Sequence, residues 1–91
     1  MHPGTLLKSV REDRGYSLRK LARKSGYSPG YIADIESGRR LPRVFALECI
    51  LVALAAHEKR QEFFEIYYLY KSNLLFENLA LLNRKVGECS F

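Results

Sequence analysis

The sequence predicts an all-α fold, a compact bundle of four to five helices extended by further helices at its C-terminal end. Three observations predict it. Apolar residues recur three and four positions apart in one segment after another, the period of a helix with one buried face. Gly15, Gly26 and Gly38 fall where three of those segments stop, as a residue just past a helix end does. Ser28-Pro29 restarts the chain after the second stop, with serine as the cap and proline at the first helical position.

Ninety-one residues make one small domain with a modest core. A hydrophobic content of 47% is too high for a disordered chain. No apolar run reaches the length of a membrane span, and the N-terminus lacks the long apolar core of an export signal. The expectation is a cytoplasmic protein with no membrane association. Cys49 and Cys89 form no CxxC pair; Cys49 reads as a small buried hydrophobe and Cys89 lies in the tail. His2 and His57 have no companions at metal-ligand spacing, so neither a metal nor a cofactor is expected.

Met1 to Gly4 reads as a frayed lead-in, and Thr5 to Arg14 as the first helix, with Leu6, Leu7 and Val10 facing inward. Tyr16 plugs the core beside the second helix, Leu18 to Ser25, whose Leu18, Leu21 and Ala22 share a face. The third helix runs from Pro29 to about Glu36, with Ile32 and Ile35 turned back toward Leu21 and Ala22. A loop carries Arg39, Arg40 and Arg43. Val44 to Ala55 is the fourth helix, apolar nearly all round with Glu48 its one charge, as suits an element packed under the others.

Two short helices joined at Gly26, with Leu18, Ala22, Gly26, Ile32, Ile35 and Glu36 in register, have the spacing of a helix-turn-helix. This pattern resembles the lambda-repressor-like (XRE/Cro) DNA-binding family, from about Leu6 to about Ala55. The resemblance implies that double-stranded DNA is the partner and that the third helix enters the major groove. Ser28, Pro29, Gly30 and Asp34 then all match the family's base-reading positions. They are weak readers, although Asp34 can accept from a cytosine amino group. Tyr31 either meets a thymine methyl or a phosphate, or covers the core. The N-terminus of the second helix, with Arg19 and Lys20 beside it, suits a phosphate. Arg39, Arg40 and Arg43 form a phosphate clamp, and Arg43, directly after Pro42, matches the family position that reaches the minor groove. Arg11 pairs with Glu36 by the same resemblance. Leu18 departs from it, because many members have a DNA-touching glutamine there.

The charge supports the same half of the chain. Residues 1–55 hold ten Lys/Arg against five Asp/Glu, whereas residues 56–91 hold five of each, so the whole net charge of +5 lies beside the motif. We therefore expect a DNA-binding domain at 1–56 and a helical extension at 57–91. In the extension, Glu58 to Lys71 reads as one helix, Ser72-Asn73 as a break, Leu74 to Leu82 as a second helix and Gly87 to Phe91 as a tail.

That extension has too much apolar surface for its length, which predicts that a partner covers part of it. Phe63, Ile66, Tyr67, Tyr70, Leu75 and Leu79 are the expected dimer interface. The functional expectation is a homodimeric transcriptional regulator, a repressor on a palindromic operator. The alternative is an antitoxin-like module whose C-terminal helices bind a different protein. No nucleophile with a base, paired carboxylates or phosphate-cradling loop points to an enzyme.

Overall fold

The computed structural model describes the backbone of residues 2–89 and the side chains of residues 2–79. Among the described residues the order is α1 (Pro3–Asp13), α2 (Leu18–Ser25), α3 (Pro29–Glu36), α4 (Val44–Ala53), a 3-10 turn at His57–Lys59 and α5 (Arg60–Cys89), with no strand.

The chain is ordered into helix earlier than its composition suggests. Pro3 and Gly4 are buried members of α1, not a lead-in. His2 caps the helix, its Nδ1 accepting from the Gly4 amide at 2.9 Å, and Pro3 takes the first helical position, where its missing N–H is no loss. Gly4 is there because α1 begins against the last turn of α3. A Cβ at this position would stand 1.8 Å from the Ile35 carbonyl oxygen.

α2 and α3 have the bounds expected of them. The Ser17 and Ser28 hydroxyls accept from the amides of Lys20 and Tyr31, each at 3.1 Å, satisfying one free donor at each helix start. Between the helices Gly26 turns left-handed at φ 82°, where a side chain is disfavoured. Ala22 is buried at the crossing, and its small side chain lets α2 lie close to its neighbours.

α4 ends at Ala53, two residues before the expected Ala55. Ala55 itself adopts a left-handed φ of 52°, which breaks the helical path. Nor is α4 buried all round. Ala46, Leu47, Ile50 and Leu51 face the core, while Phe45 is 76% and Val52 57% exposed.

The extension differs most from expectation. It is one helix of 30 residues, continuous through Ser72-Asn73 and on to Cys89. Serine and asparagine cost a helix interior only about 0.5 kcal/mol each relative to alanine, too little to interrupt a long run without help from tertiary contacts. Gly87 to Cys89, expected in a tail, belong to this helix; residues 90 and 91, and the side chains of Leu81 and Leu82, lie outside what is described.

The first two turns of α5 complete the core. Phe63 is fully buried and Tyr67 is 2% exposed, both packed in one cluster with Leu7, Leu47 and Leu54. This corrects the expectation that Phe63 and Tyr67 meet another subunit, since their surface is already used within the chain. Truncating a buried aromatic of this kind costs about 3–5 kcal/mol. Beyond Lys71 every described residue of α5 is exposed, so the helix projects from the bundle.

A candidate nucleic-acid interface

Three elements bring their polar ends to one region: the turn between α2 and α3, the first turn of α3, and the loop from Ser37 to Arg43. The Ser28 cap holds Pro29 and Gly30 at the outer start of α3, and all three residues are exposed. With Ile32 and Ile35 wholly buried, the opposite face of α3 is left to Gly30, Ala33 and Asp34. No side chain between Ser28 and Glu36 is long and basic. The surface of α3 is therefore low, and a duplex groove can approach its backbone closely.

Asp34 is half-buried and organises the loop that follows. Its carbonyl accepts from the amides of Arg39 at 2.9 Å and Arg40 at 3.2 Å. Its carboxylate lies 3.6 Å from Arg39 Nε, which also donates to the Ser37 hydroxyl at 3.1 Å. The expected base reader is thus partly neutralised from within its own chain. A donor approaching from outside would compete only with this exposed, weak ion pair.

Arg39, Arg40 and Arg43 are all exposed. The Arg40 guanidinium lies 5.3 Å from the centre of the Tyr31 ring. Tyr31 in turn stacks on Tyr27, with ring centres 5.0 Å apart and planes 25° from parallel. Both tyrosines are half-buried; Tyr31 packs against the core and keeps an edge at the surface. Tyr27, Tyr31, Arg40, Arg43 and Phe45 line a cleft of about 420 Å³ between α3 and the start of α4. Leu41 and Ala46 complete its walls, which are apolar and basic with no acid among them.

On the other flank, Arg19 is exposed and Lys20 is half-buried. Lys20 Nζ sits 4.3 Å from the Tyr16 ring centre, a cation–π contact that holds it beside the N-terminus of α2. Arg19 shares an open groove with Arg23, Gly26, Ser28 and Pro29. Sequence reasoning missed Arg23 here. Its place four residues after Arg19 on the same helix was the available signal. Tyr27 was missed too, because its ring stacks on a residue across a helix start, a relation that no helical period encodes.

Arg11 and Glu36 tie the ends of this region to α1. Arg11 Nε donates to Glu36 Oε2 at 2.7 Å and a terminal nitrogen donates to Oε1 at 3.0 Å. The other terminal nitrogen donates to the Tyr16 carbonyl at 2.8 Å. The bond to Glu36 holds the guanidinium pKa above its ordinary value. Of the remaining sequence candidates, Ile66 and Tyr70 are half-buried on α5, and Leu75 and Leu79 are 61% and 47% exposed. Among the described residues no group of His, Cys, Asp and Glu is placed to hold a metal ion, and no helix is long and apolar enough to cross a membrane.

A short capped helix, a left-handed glycine turn and a second capped helix crossing it define a helix-turn-helix protein. The helix-turn-helix domain family model matches residues 4–63, and the chain belongs to that family. Its fold is of the lambda-repressor-like type, as in the crystal structure of the clp gene regulator ClgR from C. glutamicum. The two share 33% sequence identity with a TM-score of 0.65, over 74% of this chain and 84% of that one. No curated protein matches this chain. The family match runs past the expected domain limit at residue 56 and takes in Phe63, the buried residue at the start of α5.

Proposed function

We propose that this protein is a DNA-binding transcriptional regulator that represses by occupying a palindromic operator as a homodimer. The observation that carries the reading is the exposure of Ser28, Pro29 and Gly30 alongside Arg39, Arg40 and Arg43 on a helix-turn-helix frame. The first turn of α3 enters the major groove, where Asp34 accepts from a cytosine amino group. Arg19, Lys20 and the arginine loop neutralise phosphates on either side. The similarity to ClgR, itself described as a gene regulator, supports a regulatory role. The mechanism is occupancy and needs no catalysis.

Dimerisation uses the part of α5 that leaves the bundle. Tyr68, Leu75 and Leu79 are exposed, and with Ser72 they fall on a four-three-four spacing, the seam along which two helices pack. A two-fold pair presents two recognition helices to half-sites about one helical turn apart. Domain 57–91 is then the pairing element, less the two aromatics it lends to the core.

Selection of bound duplexes from a random pool tests the proposal. It should return an inverted repeat with cytosine-guanine pairs where Asp34 reads. Recovery of unrelated sequences contradicts sequence-specific regulation. A single half-site contradicts the dimer and favours an antitoxin-like protein whose α5 binds a different partner.

A further inference from the structure

We infer that α5 positions the DNA-contacting arginine loop, with Tyr67 as the positioning residue for Arg43. The inference rests on the proposal that Arg39, Arg40 and Arg43 meet DNA, and adds how that loop is held.

Two side chains one turn apart on α5 reach the two ends of the loop. At its C-terminal end the Tyr67 hydroxyl donates to the Pro42 carbonyl at 2.8 Å, a bond buried within the protein. Pro42 is itself fully buried, and its carbonyl belongs to the peptide unit that leads into Arg43. A rigid plane fixed at its oxygen fixes the direction in which the next residue leaves. Arg43 is extended (φ −72°, ψ 158°) as the cap residue of α4, and its side chain makes no capping bond. It is exposed and uncommitted, aimed by a backbone that Tyr67 holds.

At the N-terminal end the contact is indirect. The Tyr70 ring meets His2 edge-on, with centres 4.7 Å apart. The His2 ring in turn lies against Gly38, where an added Cβ would stand 3.9 Å from it. Gly38 precedes Arg39 and Arg40. Between these two ends Leu41 packs against the core and Arg40 lies over the Tyr31 ring. Tyr67 thus contributes a hydroxyl that packing alone does not need. A phenylalanine fills the same space but leaves the buried Pro42 oxygen without a donor. The loop then shifts to bring that oxygen to water.

The test compares wild type, Tyr67→Phe, Arg43→Ala and the double variant for binding to a fluorescein-labelled mixed-sequence duplex two helical turns long, across a salt series. Tyr67→Phe should bind about fivefold more weakly, the scale of one hydrogen-bonded contact of Arg43 lost from the duplex. Its slope of log affinity against log salt should be shallower by about 0.9, one phosphate contact. With Arg43 already alanine, Tyr67→Phe should add nothing. A merely structural role would lower the melting temperature and leave the salt slope unchanged. Wild-type affinity and slope in Tyr67→Phe, or an equal loss in both backgrounds, overturns the inference. If wild type shows no salt-dependent duplex binding, the DNA reading itself fails, and this inference with it. Should Tyr67→Phe not melt cooperatively, Tyr70→Ala tests the other end. It should weaken binding only while Arg39 and Arg40 are present, and equal weakening without them overturns the inference.

Discussion

Arg11 and Glu36, 25 residues apart, form a two-pronged ion pair that closes α1 onto the end of α3. Their side chains are only 11% and 6% exposed. Each charge is partly taken from water, and each depends on the other to offset that cost.

Removing one partner should therefore cost more than removing both. Glu36 left alone in Arg11→Met is a partly buried, unpaired carboxylate, and a loss of about 1–3 kcal/mol is expected. Arg11→Met with Glu36→Leu should recover most of it, because two apolar groups need no partners. Urea denaturation of the four proteins in the cycle measures this. Additive losses would mean that the pair is not coupled.

His2 gives the fold a dependence on pH. Burial lowers its pKa below the ordinary 6.5, so the native state holds the imidazole neutral. The neutral ring is needed because Nδ1 accepts from the Gly4 amide. The unfolded chain binds the proton more readily, so stability is lost as pH falls below 6.5 toward the lower native value. Thermal melts from pH 7.5 to 5 should show this decline. His2→Asn, which keeps an acceptor at the cap but does not titrate, should flatten it. An unchanged decline in that variant would assign the effect to other groups.

Asp34 pairs with Arg39, and the proposed function also gives its carboxylate a base to read. Asp34→Asn removes the ion pair and the negative charge together. Non-specific duplex affinity should rise modestly, while preference at the base pair facing position 34 should shift away from cytosine. Selection with the variant reads both. An unchanged preference would take Asp34 out of base reading.

Leu75 and Leu79 lie on α5 beyond the last residue that packs on the bundle. Leu75→Ser with Leu79→Ser should therefore break self-association without lowering the melting temperature of the monomer. Sedimentation of wild type and variant decides it. A monomeric wild type contradicts the homodimer. Phe63→Ala, in contrast, should unfold the domain, because that ring is in the core.

The helix-turn-helix was legible in the sequence because each of its signals is local. Ser17, Gly26, Ser28 and Pro29 set helix ends by their own backbone preferences, and α2 and α3 begin and end where those residues place them. The ends of the chain were not legible for the opposite reason. His2-Pro3 carries only a weak start signal, without the serine that caps α2 and α3; what confines Gly4 is Ile35, 31 residues further on. Ser72-Asn73 looked like a break because both residues often cap helices, but no glycine or proline enforced one. The apolar residues of the extension read as one interface. In space Phe63 and Tyr67 turn to the core, while Leu75 and Leu79 turn out. In the candidate site the arginine loop was visible from composition. The Tyr27–Tyr31–Arg40 stack and the Tyr67–Pro42 bond depend on tertiary approach and left no trace in spacing.

The most direct measurement is the salt dependence of duplex binding by wild type and by Arg39→Ala/Arg40→Ala/Arg43→Ala. Wild type should lose affinity steeply as salt rises. The triple variant should bind more weakly on every sequence, with a slope shallower by about 0.9 for each phosphate contact removed. An identical slope in the two proteins would contradict the placement of this loop on DNA.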